Sequence, residues 1–310
     1  MTTFALPLPL ALPRRTVVGI AALTAVVALW SSFALSTRAL EGAGLTLADA
    51  AIVRFAVPAV ALSPWIPRTF RALRTERPAV LALVLLAGLP HFLLFAWGAH
   101  LTSAALTGLL VPGTVPLFVA GLLFLFARRT VSRRRLLALA AIVAGVAASA
   151  LFIGGPSGPG GIVVLLAAGL VWAAYTLGVA RSRLDPVAVI VIVSVTSVAS
   201  ALLLAVTGVL PSALLAGTAD LGTVGAYALI QGVGTGLLST ACYVVAVKNL
   251  GSSLPAAAGA LSPVLTAVVA VPLLGETLGL GLGLALALIV TGVAVFALTP
   301  ATARTPGAEL

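Results

Sequence analysis

IVAGVAASAL, Ile142–Leu151, returns 147 residues later as IVTGVAVFAL, Ile289–Leu298. Seven of the ten positions are identical. Apolar segments coincide often, so spacing carries more weight than identity. Pro116 finds Pro263 at the same offset of 147. A second echo opens each half at an offset of 142. Gly19, Ile20, Leu23, Trp30, Phe33 and Leu35 recur as Gly161, Ile162, Leu165, Trp172, Tyr175 and Leu177. The chain reads as one module written twice, and a repeat of this length constrains the fold before any single residue does.

Composition names the solvent. Of 310 residues, 61% are hydrophobic and 8% are charged. A soluble chain carries about a quarter charged residues, and no soluble core hides this much apolar surface. The bilayer is the solvent that fits. The net charge of +10 does not point to nucleic acid. The arginines fill short gaps between apolar runs, as membrane topology requires, and no basic face interleaved with aromatics is present. The single cysteine, Cys242, permits neither an intrachain disulfide nor a cysteine metal site. No metal, cofactor or nucleic-acid partner is expected. The N-terminus lacks an early positive charge and is broken by Pro7 and Pro9, unlike a signal peptide.

A spanning helix needs about 20 mostly apolar residues. Ten such runs are expected: 16–38, 46–66, 78–99, 102–127, 134–153, 161–181, 186–208, 221–247, 252–275 and 277–299. The neutral run GGPSGPGG, Gly154–Gly161, divides them into five-helix repeats over 16–153 and 161–299, with short cytoplasmic tails at 1–15 and 300–310. With the amino end inside, the inner segments hold Arg14, Arg15, Arg68, Arg71, Arg74, Arg77, the five arginines of 128–135, Arg181, Arg183, Lys248 and Arg304. The outer loops hold Arg38 beside Glu41, Asp49, Asp220, Glu276 and His100. That asymmetry sets both termini in the cytoplasm. Five is odd, so the second repeat enters from the opposite side. The expected fold is an all-α membrane protein of ten transmembrane helices in two inverted five-helix repeats, an arrangement many secondary transporters use.

Polar groups inside these runs are few. Arg54 lies about eight residues from the outer end of the second span; an intramembrane arginine either serves function or snorkels to hold helices together. His91 follows Pro90 in the third span and is the one imidazole within a span. It either relays a proton or packs against a carbonyl. Gln231, Thr235, Ser239 and Tyr243 recur every fourth residue and share a slowly drifting face. That stripe lines a cavity or glues helices. Trp30 with Phe33, and Trp172 with Tyr175, occupy matching places in the halves and surround a cavity or fill a core. Pro116 and Pro263 are expected to interrupt the fourth and ninth spans, because proline frees a carbonyl and bends a helix, and paired breaks point to a transport site. No Walker loop, HExxH, GxSxG or paired carboxylate is present. No enzyme is expected.

The pattern resembles the EamA family of the drug/metabolite transporter superfamily over about 17–299. The residues carrying the resemblance are LWSSFAL (Leu29–Leu35), IVRF (Ile52–Phe55), VWAAYTL (Val171–Leu177) and SPVLTAVVAVPLLGETL (Ser262–Leu278). The family often keeps Glu in both halves; here the counterpart of Glu276 at offset 147 is Arg129. The resemblance implies a proton- or gradient-driven carrier, often an exporter of amino acids, other metabolites or toxic compounds. The expected substrate site is lined by Trp30, Arg54, His91, Trp172, Tyr175, Gln231 and Tyr243. Pro116, Pro263 and Glu276 are the gating or helix-break candidates. Glu276 either pairs with Arg54 or Arg38 at an outer gate or caps the tenth helix. The expected function is secondary transport of small molecules across the inner cell membrane by alternating access, with His91 the candidate for proton coupling. The rival readings are a lipid or polyprenyl-carrier flippase and a non-transporting membrane partner protein.

Overall fold

The computed structural model describes residues 13–39, 44–128, 131–152, 159–250 and 261–300. Most of the 154–161 boundary, both tails and Arg129 lie outside them. Among the described residues the chain is all helical. In order these are α1 (Arg14–Arg38), α2 (Leu47–Ala61), α3 (Ile66–Leu73), α4 (Pro78–Leu85), α5 (Leu89–Leu101), α6 (Ala104–Ala127), α7 (Arg133–Phe152), α8 (Gly160–Arg181) and α9 (Pro186–Val206). Then come α10 (Leu221–Tyr227), a π-helical segment (Ala228–Leu238), α11 (Ser239–Leu250), α12 (Leu261–Leu274) and α13 (Leu280–Leu298). Among the described residues, seven helices are long and apolar enough to cross a membrane, or eight if the bent α2–α3 pair is one span. The inside-out distribution agrees with a bilayer: Gln231 is fully buried while Phe126 is 82% exposed. The chain is a multi-pass membrane protein.

Local chemistry sets the element boundaries. Thr46 and Asp49 form a reciprocal capping box at the start of α2, which satisfies two orphan backbone donors. Ser103 caps α6 and Asp185 caps α9. Pro78, Pro90 and Pro186 sit in the first turns of their helices, where the missing N–H costs nothing.

The stretch that repeats is also the stretch that packs on itself. A Cβ placed on Gly292 of α13 would lie 2.6 Å from the Ala138 carbonyl oxygen and 2.8 Å from Ile142 of α7. A Cβ on Gly145 of α7 would meet Ile289 at 2.5 Å and the Ala285 carbonyl at 3.1 Å. Each contact is the other shifted by 147 residues. A late residue of each helix meets earlier residues of its partner, so α7 and α13 run antiparallel. Gly19 of α1 against Asn249 and Leu250 has a twin in Gly161 of α8 against Leu101 and Thr102. Such reciprocal contacts characterise a two-fold relation between like surfaces.

Among the described residues the regular α-helical pattern is interrupted in the third and eighth expected spans, and the ninth is described only from Leu261. Between α4 and α5 the chain turns at Leu86–Gly88, and the His91 amide reaches back five residues to the Leu86 carbonyl at 3.1 Å. The freed Leu89 amide donates to Ser197 Oγ at 3.0 Å. In the second half the π segment occupies the corresponding stretch. By contrast, α6 runs unbroken through Pro112 and Pro116. Pro116 therefore interrupts no helix, because a continuous α6 tolerates the lost hydrogen bond among close neighbours. Pro263 is buried near the start of the described part of α12.

Each membrane face carries side chain-to-loop ties. Asp49, fully buried, accepts from Ser212 Oγ at 2.5 Å and from the Ala213 and Leu214 amides at 3.0 and 3.2 Å. Elsewhere, Glu76 accepts from Ser182 Oγ and the Arg183 amide, both at 2.7 Å. The Ser182 hydroxyl, then the Arg183 amide, hold the Glu76 carboxyl below its ordinary value. A depressed folded-state pKa contributes stability at neutral pH that disappears as pH falls through it. Glu76→Gln is therefore expected to melt slightly below wild type at neutral pH and to match it in acid, by melting temperature in detergent. The margin is small because the group is solvated.

Candidate functional site

Arg54 on α2 is the centre of the polar interior. Its Nη1 donates to Gln231 Oε1 of the π segment. Arginine has only donors, so the amide oxygen of Gln231 must face it. The amide nitrogen then faces α1, where it donates to Ser36 Oγ at 2.5 Å, Thr37 Oγ1 at 3.2 Å and the Phe33 carbonyl at 3.2 Å. One fully buried glutamine thus ties α1, α2 and the π segment together. In the second half the matching place is apolar: Gly178 of α8 packs on Leu83 of α4, at offsets of 142 from Ser36 and 148 back from Gln231. Among the described residues the polar knot exists once.

Aromatic rings surround the guanidinium. Its central carbon lies 4.3 Å from the Phe33 ring centre, 5.6 Å from Phe55 and 5.8 Å from Phe92. Cations within about 6 Å of a ring face are attracted to its quadrupole. Among the described residues no carboxylate pairs with Arg54. The positive charge is stabilised by rings and one amide, and no counter-ion neutralises it.

From Arg54 a run of rings crosses the molecule. Phe33 stacks on Phe95 at 4.3 Å, Phe95 meets His91 at 5.8 Å, His91 meets Trp172 at 4.8 Å, and Trp172 meets Tyr175 at 5.2 Å. His91 is buried, and its Nε2 has no hydrogen-bond partner among the described residues. Phe33 packs against both main hydrophobic cores, so the run passes where the cores meet. Beside it lies an apolar groove of about 600 Å³, lined by Leu29, Ser32, Ser36, Tyr227, Val233 and Leu273 among others. Ser36 belongs to the groove and to the polar knot alike.

Of the seven expected site residues, five stand in this run or knot: Arg54, Gln231, His91, Trp172 and Tyr175. Trp30 and Tyr243 form a separate ring pair at 5.8 Å, one turn along α1. The four-residue stripe divides. Thr235 and Ser239 spend their hydroxyls on carbonyls of their own helix, whereas Gln231 hydrogen-bonds across to α1 and Tyr243 meets it through its ring. Glu276 also differs from expectation. Gly275 takes a left-handed φ of 67°, which L-residues with side chains avoid, and this turns Glu276 towards α6. Its carboxylate accepts from the Ala104 and Ala105 amides at 2.6 and 3.1 Å. It caps the fourth expected span, not the tenth, and its partners are backbone groups in place of Arg54 or Arg38. Glu276→Ala should cost about 2 kcal/mol of unfolding free energy, measured by denaturation in detergent, with Glu276→Gln intermediate.

Sequence reading missed Ser36, Thr37, Phe55, Phe92, Phe95 and Tyr227. Tyr227 had a signal, since it extends the stripe by one more four-residue step. The phenylalanines had none, because an apolar ring inside an apolar run looks like any other.

Residues 159–298 match the EamA-like transporter family. Over that stretch the chain is an EamA-like sequence. Proteins of this family are membrane transporters, so a small-molecule substrate and a lipid bilayer are its partners. A crystal structure of another protein is similar over 92% of this chain and 98% of its own, with a TM-score of 0.58 and 20% identity. That likeness is one of fold alone and spans nearly the whole chain. No curated protein matches the sequence significantly.

Proposed function

We propose that this protein is a secondary transporter of the inner cell membrane that exports small metabolites, amino acids or drug-like compounds by alternating access. Counting α7 and α12 as crossings, beside the bent α2–α3 pair, gives ten. The reciprocal glycine contacts at α7–α13 and α1–α11 support two inverted five-helix repeats over 16–153 and 161–299, and the arginine asymmetry of the loops supports both termini being cytoplasmic. Such halves rock about a shared site and open it to each side in turn.

The observation that carries the reading is Arg54: a cation among rings, without a counter-ion, in the interior of a membrane protein. An anionic group of the substrate engages the guanidinium, and the rings from Phe33 to Tyr175 take its apolar part. His91 is the proton-linked group. A thermal-shift panel of amino acids, nucleosides and amphipathic drugs tests this, since a ligand of the folded form raises the melting point. Anionic ring-bearing members should give the largest shifts. A panel in which only cationic or uncharged members stabilise the protein would contradict the reading. In vesicles, His91→Ala should abolish pH-driven uptake with the melting point retained; unaltered pH dependence would remove histidine from the coupling.

The apolar groove favours a second reading, a lipid or polyprenyl-carrier flippase. Its near absence of polar lining suits an acyl or isoprenoid chain. Competition of lipid against the panel's best soluble ligand separates the two.

A further inference from the structure

The second expected span ends in a bend. The axis turns by 67° between Leu47–Ala61 and Ser63–Leu73. If α2 runs through the bilayer, α3 lies nearly along its surface. Helix α3 is two-faced. Thr69 is buried, Leu73 packs into the core, and the helix rests on α9. Arg68, Arg71 and Arg74 follow at three-residue steps on the other side. Trp65 and Phe70 remain 41% and 49% exposed between those faces.

The charges are unequally committed. Arg68 pairs with Asp185 at 2.9 Å. Glu76, the nearest acid in sequence, is taken up by Ser182 and Arg183. Arg71 and Arg74 are exposed and pair with no carboxylate among the described residues. Arg71 Nε donates to the Pro67 carbonyl of its own helix, and a short helix carrying exposed aromatics and arginines without a carboxylate partner at a membrane surface matches the chemistry of an anionic headgroup above acyl chains.

We infer that α3 is a binding site for an anionic phospholipid, with Arg71 and Arg74 on the phosphate and Trp65 and Phe70 in the boundary between headgroups and acyl chains. The site rests on the membrane-spanning fold and is independent of the transport reading. It holds α3 in the plane beside the Arg68–Asp185 tie, where α2 leaves the bilayer.

The test uses full-length protein in nanodiscs of phosphatidylcholine, alone or mixed with phosphatidylglycerol. Phosphatidylglycerol should raise the melting temperature. Each arginine near an anionic surface contributes enough that the pair Arg71→Gln/Arg74→Gln should lose roughly 30-fold in phosphatidylglycerol affinity by native mass spectrometry. Its melting point in phosphatidylcholine should be unchanged. The equal charge reduction Arg133→Gln/Arg134→Gln at the start of α7 should retain the affinity. An equal loss in that control would show diffuse attraction and overturn the site. So would wild-type affinity in the α3 variant, or equal stabilisation by inorganic phosphate in detergent without lipid. If the double variant does not fold, Arg74→Gln alone should lose about five-fold, and retention of full affinity there overturns the site as well.

Discussion

Arg54→Leu is expected to remove binding of the best anionic ligand from the thermal-shift panel, with at least a roughly 30-fold loss in affinity by calorimetry. Removing one member of a desolvated charge pair leaves the other without compensation, which is why the effect is large. Folding should survive. The substitution leaves the Gln231 amide oxygen without its donor, a cost of about 1–3 kcal/mol. It also removes a cation from a low-dielectric interior, and that gain offsets much of the cost. The two effects nearly cancel for stability but not for binding. Arg54→Lys separates charge from shape. Lysine keeps the charge and loses the planar fork that reaches Gln231 and lies on Phe33. Its affinity should fall between wild type and leucine. If leucine at this position leaves affinity unaltered, Arg54 only holds helices together.

The second large effect concerns the α7–α13 contact. Gly292→Ala should destabilise the protein by about 2–3 kcal/mol, read by thermal or denaturant unfolding in detergent. The added methyl would stand 2.6 Å from the Ala138 carbonyl and 3.2 Å from the Ile142 amide. Both are backbone atoms in a continuous helix and cannot step aside. Gly145→Ala should cost less, because its closest neighbour is the side-chain Cγ1 of Ile289 at 2.5 Å and the nearest backbone atom, the Ala285 carbonyl oxygen, stands back at 3.1 Å. Gly283 supplies the control. It lies on the same helix as Gly292, with nothing within 4 Å of its Cβ position. There alanine should be neutral or stabilising, since it is the better helix former by roughly 1 kcal/mol. Equal effects at Gly283 and Gly292 would mean that helix propensity, not close approach, governs this interface.

How far the sequence reads depends on the kind of property. The bilayer as solvent, the helical content and the EamA resemblance were legible, because hydropathy sums over each run of about 20 residues and motifs are local strings. The repeated IVxGVAxxAL was legible as a duplication. Its purpose was not. That Gly145 and Gly292 stand against Ile289 and Ile142 depends on how two helices cross, and no string shows a crossing. The proline rule failed at Pro116 for a related reason. A proline weakens one backbone bond, but whether the helix bends there is decided by its neighbours, and α6 stays continuous while the stretch before Leu89 gives way.

The candidate site divides in the same manner. Arg54, His91 and Gln231 were visible because a polar side chain in a membrane run stands out by cost alone. Their relations were not visible. By sequence alone, this protein was determined to be a helical membrane protein with a recurring ten-residue string and a handful of costly interior polar groups. Only the tertiary structure decided that Arg54 meets Gln231, 177 positions away, that Thr235 and Ser239 turn back on their own helix, and that Glu276 caps α6. The physical reason is range. Transfer from water to lipid is a sum over single residues, whereas a hydrogen bond requires two groups to arrive within about 3 Å, and packing of whole helices sets that distance.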